Sequence, residues 1–203
     1  MNFHLITSNI CNLNCKYCGG GEIKRNKKII YTINELKQFL DKNTKKGVIN
    51  FYGGEPLLNI PFIEEVMDNI KGYKFVIQTN GLLLNKLKNK YLKNFHSILV
   101  SIDGRPEITD NYRSKDVYKK IIENCKLITR KKFNGDLIAR MTVSENTDIY
   151  EDVTHLLNLK NPIFLIFNIF TCFSSPNLPA AAIRRAAWVA CHDVRSGRNG
   201  KSG

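Results

Sequence analysis

The chain has 203 residues, 43% of them hydrophobic, with six cysteines and a formal net charge of +13. That is long enough for one sizeable domain with its own core. No apolar run approaches about eighteen residues and no basic segment followed by an apolar stretch opens the chain, so neither a membrane span nor a secretory leader is expected. The expected setting is the cytoplasm, where cysteines serve metal or redox chemistry more often than disulfides. Lysines such as those in Asn85-Lys86-Leu87-Lys88-Asn89-Lys90 read as a solvated helix face. Without a basic helix carrying base-reading residues or a basic–aromatic platform, nucleic acid is not an expected partner.

In chain order, residues 3–8 predict a short strand that leads into a loop holding Cys11, Cys15 and Cys18. Thr32 and Glu35 have capping-box spacing, and Ile33, Leu36, Phe39 and Leu40 continue at helical period. Val48–Tyr52 predicts a strand ending in Gly53-Gly54-Glu55-Pro56. Pro61 suits a helix start, with Phe62, Ile63, Val66, Met67 and Ile70 on one stripe. Tyr73–Ile77 predicts a strand ending in Gln78-Thr79-Asn80-Gly81, and Leu83, Leu84, Leu87, Tyr91 and Leu92 fit a third helix. Ile98–Ile102 predicts a strand ending in Asp103-Gly104, followed by a helix through Val117, Ile121, Ile122, Cys125 and Ile128. A fifth strand over Leu137–Val143, a helix through Ile149, Val153, Leu156 and Leu157, and a sixth strand over Pro162–Phe170 complete the pattern.

Strand and helix thus alternate six times, and several strands are continuously apolar. Such strands are expected to be buried on both faces of a parallel α/β sheet. An open six-stranded barrel and a doubly wound sheet both fit. In either, ligands bind at the C-terminal ends of the strands, where the cysteines, Gly53-Gly54-Glu55, Thr79-Asn80-Gly81 and Ser101-Ile102-Asp103-Gly104 all fall.

Three of the six cysteines lie within eight residues. A structural zinc site needs four ligands, usually as two separated pairs, and a ferredoxin cluster also takes four thiolates. The reading that uses three is a cluster with one iron left open for a substrate or cofactor, as catalytic metals keep a position open.

Cys11-x3-Cys15-x2-Cys18, with Tyr17 just before the last cysteine, resembles the signature of the radical S-adenosylmethionine (SAM) enzymes. Gly53-Gly54-Glu55-Pro56, Thr79-Asn80-Gly81, Ser101-Ile102-Asp103-Gly104 and Arg113 match further motifs of that family. The closest resemblance is to sulfatase-maturing enzymes and peptide maturases that carry a C-terminal SPASM domain. It covers residues 1–170 and implies an open partial (β/α)6 TIM-like barrel of parallel strands. It implies that Cys11, Cys15 and Cys18 ligate a 4Fe–4S cluster whose fourth iron chelates SAM. Reductive cleavage of SAM then gives a 5′-deoxyadenosyl radical that abstracts hydrogen from a substrate, here a peptide or protein, with an electron donor such as flavodoxin or ferredoxin. Tyr17 is implied near the adenine. Gly53 and Gly54 are implied to let the backbone approach the methionine part, and Glu55 to accept from the SAM ammonium or to order its loop. Ser101 and Arg113 are implied to bind the SAM carboxylate. Asp103 and Asn80 are implied to meet ribose hydroxyls or only to close turns. No residue is assigned as catalytic. Cys125 reads as core, and Gly19-Gly20-Gly21 as the turn of the cluster loop.

Residues 1–170 contain one alanine and 21 lysines, whereas residues 171–203 contain six alanines and one lysine. Alanine and arginine use GC-rich codons and lysine AT-rich ones, so 171–203 is expected to be a foreign tail, from a frameshift or a fusion scar. The many cysteines of a SPASM domain are not in this chain; past the core there are only Cys172 and Cys191. The alternative readings are therefore a non-catalytic iron–sulfur or metal-binding fragment, or a short radical SAM activating enzyme.

Overall fold

A computed structural model of the chain describes residues 1–18, 31–144, 147–159 and 166–171. Six strands, β1 (Asn2–Ser8), β2 (Gly47–Gly53), β3 (Tyr73–Thr79), β4 (Phe95–Ser101), β5 (Asp136–Val143) and β6 (Ile166–Thr171), form one sheet in the order of the sequence. Every neighbouring pair is parallel. Helices α1 (Ile33–Asn43), α2 (Ile60–Asn69), α3 (Asn89–Leu92), α4 (Pro106–Tyr112), α5 (Val117–Arg130) and α6 (Ile149–Leu157) fall between the strands. Parallel strands added always on the same side, through crossovers of one hand, bring their helices to one face and curl the sheet around the other. A doubly wound sheet would instead reverse its strand order partway. The fold is therefore the open partial (β/α)6 barrel.

The helices form where their caps and stripes direct. Thr32 Oγ1 accepts the Glu35 N–H at 3.2 Å while Glu35 Oε2 accepts the Thr32 N–H at 2.7 Å, closing the expected capping box of α1. Leu36 and Leu40 of α1, Ile63, Val66 and Met67 of α2, Ile121, Cys125 and Ile128 of α5, and Val153 and Leu156 of α6 join strand residues such as Ile49, Phe51, Ile77, Ile98, Val100 and Ala139 in one core. Phe51 stacks on Phe75 with ring centroids 5.8 Å apart. Phe39, placed on the α1 stripe by its period, is 53% exposed and meets Phe3 edge-on instead.

Three expectations are corrected. The third helix is broken: a 3-10 turn over Leu84–Lys86 is followed by extended backbone at Leu87 and Lys88, then by the four-residue α3. Its apolar residues Leu84, Leu87, Tyr91 and Leu92 are buried all the same. Period located the buried side chains, but an uncapped segment with Lys86 and Lys90 four apart lacks what would hold one continuous helix. Helix α4 was missed, although Pro106 at its first turn is a start signal. Most of the strands are also not buried on both faces among the described residues. Along β2, β3 and the first half of β5 buried and more exposed positions alternate, because all the helices lie outside the curl; β4, with Ser97, Ile98, Val100 and Ser101 all buried, is the exception. His4, Asn50, Tyr52, Gln78 and Ile138 line its less buried inner side.

The expected turn at Gly19-Gly20-Gly21, the start of the sixth strand at 162–165 and the tail from Cys172 onward lie outside the described residues. Among the described residues no helix is long and apolar enough to cross a membrane.

Candidate functional site

The C-terminal strand ends carry four loops, and contacts between named atoms draw them together. β1 and β2 pair regularly as far as Ile6–Tyr52, then slip so that Ser8 faces Gly53. Beyond the slip, the Gly54 N–H donates to the Ser8 carbonyl and the Glu55 N–H to the Ile10 carbonyl, each at 2.8 Å. The loop after β2 is thereby stitched to the cysteine loop. Glycine permits it: Gly53 has φ +136, and a Cβ there would lie 2.1 Å from the Ser8 carbonyl oxygen. A Cβ on Gly54 would lie 2.5 Å from the Ile10 oxygen and 3.0 Å from the Cys11 nitrogen. The close backbone approach expected toward a ligand is made, in the protein itself, toward the backbone that carries Cys11.

Glu55 is fully buried. Its Oε1 accepts from the Leu57 N–H at 2.9 Å and the Thr79 hydroxyl at 2.7 Å, and its Oε2 accepts from the Asn80 N–H at 2.7 Å. Of the two roles weighed for it, ordering the loops is the one these bonds perform. Burial pushes its carboxyl above the usual range, and the bonds from Asn80, Thr79 and Leu57 pull it back. Asn80 in turn donates through Nδ2 to Asn12 Oδ1 at 2.7 Å, and the same amide lies 3.9 Å from Cys11 Sγ. One buried carboxylate thus locks the loop after β3 to the loop after β2, and Asn80 carries the lock on to the cysteines.

This lock yields a first prediction. In Glu55→Gln one of the two carboxylate oxygens becomes an NH2 that faces an N–H or O–H donor in a buried site. The variant should lose about 1–3 kcal/mol of stability, read as a lowered midpoint of chemical denaturation. An unchanged midpoint would mean that these loops are held some other way.

Asp103 is also fully buried. Its Oδ2 accepts from Arg113 Nε at 2.8 Å and the Tyr17 hydroxyl at 2.6 Å; its Oδ1 accepts from Arg113 Nη2 at 2.8 Å and the Thr142 N–H at 3.0 Å. Four donors, from the end of α4, from β5 and from the cysteine loop, meet on one carboxylate. The two-pronged arginine grip is the strong geometry for such a pair. Burial works against the Arg113 charge, but the adjacent Asp103 outweighs it and holds the guanidinium pKa above its ordinary value. Burial likewise pushes the Tyr17 hydroxyl well up, the Asp103 carboxylate adding to it, so the hydroxyl stays a donor. The Arg113 guanidinium also lies 5.5 Å from the centre of the Tyr17 ring.

The cysteine loop is clamped to α4 from below. The Tyr112 carbonyl, at the end of α4 where no intrahelical donor remains, accepts the Lys16 N–H at 2.8 Å. Lys16 Nζ donates to Asn111 Oδ1 at 2.6 Å, and the Tyr17 and Tyr112 rings pack 5.7 Å apart. Cys11 and Cys15 are half-buried and Cys18 is exposed. Burial raises the Cys11 and Cys15 thiols; for Cys15 the Arg113 charge opposes it, and the neighbouring thiols add to it. Among the described residues no three His, Cys, Asp or Glu side chains are grouped to hold a single metal ion. Three thiols on one loop at a strand-end mouth are a donor set suited to an iron–sulfur cluster, whose thiolates sit on separate irons.

Tyr17, Gly53, Gly54, Glu55, Asn80, Asp103 and Arg113 are thus brought to one mouth with the three cysteines. Ser101, the last residue of β4, is buried two positions before Asp103 and faces Arg140 in the β4–β5 register. Cys125 is buried in α5, as expected, and burial raises its thiol. Sequence reasoning missed Asn12, Lys16, Tyr112 and Thr142, whose roles depend on which loops meet. It also missed Asn124, whose Nδ2 donates to the Gly81 carbonyl at 2.9 Å and the Leu82 carbonyl at 3.0 Å, holding the loop after β3. An amide on the otherwise apolar stripe of α5 was the available signal.

The chain is 29% identical over 193 residues to the cysteine-type anaerobic sulfatase-maturating enzyme of Clostridium novyi, a match that covers 85% of this chain and 51% of that protein. The structure of native anSMEcpe with bound AdoMet superimposes with a TM-score of 0.70 at 22% identity, over 85% of this chain and 52% of that one. Streptococcus suis SuiB bound to precursor peptide SuiA superimposes with a TM-score of 0.74 at 14% identity, over 97% of this chain and 46% of that one. The chain therefore spans about half the length of these relatives. Residues 5–159, which carry all four strand-end loops, match the Radical SAM superfamily model, and the chain belongs to that superfamily.

Proposed function

We propose that Cys11, Cys15 and Cys18 hold a 4Fe–4S cluster and that the chain cleaves SAM reductively to act on a peptide or protein substrate. The observation that carries this reading is the convergence of the cysteine loop with Gly53-Gly54-Glu55, Thr79-Asn80-Gly81 and Ser101–Asp103 through bonds centred on Glu55 and Asp103. When bound, the cluster supplies one electron to the SAM sulfonium, which yields methionine and a 5′-deoxyadenosyl radical able to abstract hydrogen.

This chain's own residues bind and orient. Two of the five N–H donors of Arg113 go to Asp103, which leaves up to three for the SAM carboxylate beside Ser101. Tyr17, whose hydroxyl Asp103 holds, would meet the adenine. Gly53, Gly54 and Asn80 would meet the methionine and ribose parts. Glu55 and Asp103, as members of the same site, act from beneath by fixing the loops. Residues 1–170 form the core in this reading and 171–203 a distinct tail. A flavodoxin or ferredoxin in the cytoplasm supplies electrons. The relatives support the substrate class, since the structure of SuiB was determined with a precursor peptide.

The test is anaerobic reconstitution with iron and sulfide, followed by SAM and dithionite. Formation of 5′-deoxyadenosine and methionine in equal amounts is the expected result. A second reading is a non-catalytic iron–sulfur fragment. Cluster uptake without 5′-deoxyadenosine would choose it.

A further inference from the structure

One buried acidic side chain lies behind the mouth and takes no part in the site described so far. Asp152, in the first turn of α6, is inaccessible to solvent. Its Oδ1 accepts from the backbone N–H of Arg105 and from Arg105 Nε, both at 2.9 Å, and the neighbouring Glu151 takes Arg105 Nη1. Its Oδ2 is buried with no partner among the described residues. Contact with Gly104 is equally close: Gly104 has φ +117, and a Cβ there would fall 2.3 Å from the Asp152 Cβ. The α6 carboxylate therefore abuts the loop after β4 immediately behind Asp103, whose own carboxylate holds Arg113, Tyr17 and Thr142.

Stability alone does not account for a carboxylate here. One oxygen has lost its hydration without replacement, and the Arg105 side chain that pairs with the other is 27% exposed. A well-packed apolar residue of similar size would avoid that desolvation. What the carboxylate provides is direction. A single oxygen grips both the main chain and the side chain of Arg105, and so fixes the peptide that follows the left-handed Gly104. The loop is also tied by Thr109, which accepts the Asp103 N–H and donates to the Gly104 carbonyl, each at 3.2 Å, and by β5, where the Arg140 carbonyl accepts the Ile102 N–H and the Thr142 N–H donates to the Asp103 carboxylate, each at 3.0 Å. Thr109 lies on α4, the next element of the same segment. Asp152 comes from a different helix, 47 residues away in sequence.

We propose that Asp152 is a positioning residue for the mouth: it clamps the loop after β4 through Gly104 and Arg105 and so sets where Asp103, Arg113 and Tyr17 stand. The clamp itself stands on geometry; its consequence for SAM rests on the function proposed above.

The experiment compares Asp152→Ala, Arg105→Ala and Asp152→Asn with Val153→Ala, which destabilises the same helix but removes none of the bonds to Arg105. Two quantities are read on the full chain: amide exchange over residues 101–113 without added ligand, and SAM affinity after cluster loading. Asp152→Ala and Arg105→Ala should both speed exchange over 101–113 and weaken SAM binding by about tenfold, with bound iron unchanged. Asp152→Asn keeps the accepting oxygen and should restore most of both. Val153→Ala should lower the melting temperature without either effect. Unchanged exchange in Asp152→Ala and Arg105→Ala, or the same loop exchange in Val153→Ala, overturns the clamp. Arg105→Ala, a partly exposed change, decides the matter if Asp152→Ala does not fold. If the unaltered, cluster-loaded chain binds no SAM, the proposed function fails, while the exchange comparison still judges the clamp.

Discussion

Replacing Cys11, Cys15 or Cys18 by alanine is expected to leave a folded chain that retains almost no iron and makes no 5′-deoxyadenosine. Each thiolate would hold a separate corner of the cluster, so two cannot substitute for three once one iron is reserved for a ligand. The loss should be nearly complete rather than graded. Cys125→Ala is the control. That thiol is buried in α5 among apolar neighbours, behaves as a small hydrophobe, and its removal should cost about 1 kcal/mol of stability with full iron content. The half-buried and exposed positions of the three loop cysteines make the fold tolerant of their loss, so iron content is read on intact protein. Equal iron in Cys11→Ala and Cys125→Ala after anaerobic reconstitution would remove the cysteine loop from consideration as the cluster site.

Arg113→Ala should have the second largest effect, and on stability as much as on SAM binding. The pair it forms with Asp103 is buried, with side-chain exposures of 6% and 0%. Without Arg113 the Asp103 carboxylate keeps only the Tyr17 hydroxyl and the Thr142 N–H, and an uncompensated buried charge costs about 3–5 kcal/mol. For a chain of this length each kcal/mol shifts the melting temperature by about 2–4 °C, so the drop is readily measured. Arg113→Lys should recover little, because a single ammonium cannot span both oxygens as the guanidinium does. The double replacement Arg113→Met with Asp103→Leu should recover part of the stability but not SAM affinity, since the buried charge is removed along with the ligand-binding group while the Tyr17 hydroxyl and Thr142 N–H lose their acceptor. If Arg113→Ala melts like the unaltered chain, the Asp103 pair is not what holds this mouth together. If it loses stability but binds SAM normally at a temperature where it is folded, Arg113 supports the site without touching the ligand.

Both predictions start from motifs visible in the sequence, yet the second could not have been framed from them. Ser101-Ile102-Asp103-Gly104 and Arg113 were legible as a pair of motifs nine residues apart at their nearest ends. That the arginine would spend two donors on the aspartate depended on α4, which returns the chain to the mouth and was missed. Gly53 and Gly54 were legible as sites of close approach. What approaches them, the Ser8 and Ile10 carbonyls, depended on the slip in the β1–β2 register.

The sequence by itself determined the alternation of strands and helices, the α1 capping box, the buried stripes of α2, α5 and α6, and the cysteine loop with its partner motifs. These are encoded locally: hydrophobic period, caps and short spacings act within a few residues, so neighbouring side chains specify them. Only the tertiary structure decided between an open barrel and a doubly wound sheet, because strand order is a relation between segments that no single segment carries. It alone broke the third helix, whose stripe is buried whether or not the backbone is continuous. It also showed most of the strands covered on one face, since which face a helix covers follows from the curl of the whole sheet. The bonds by which Glu55, Asp103 and Asp152 lock separate loops together likewise reach across up to 86 positions of sequence. Such contacts exist only once six parallel strands have brought their C-terminal ends to one mouth.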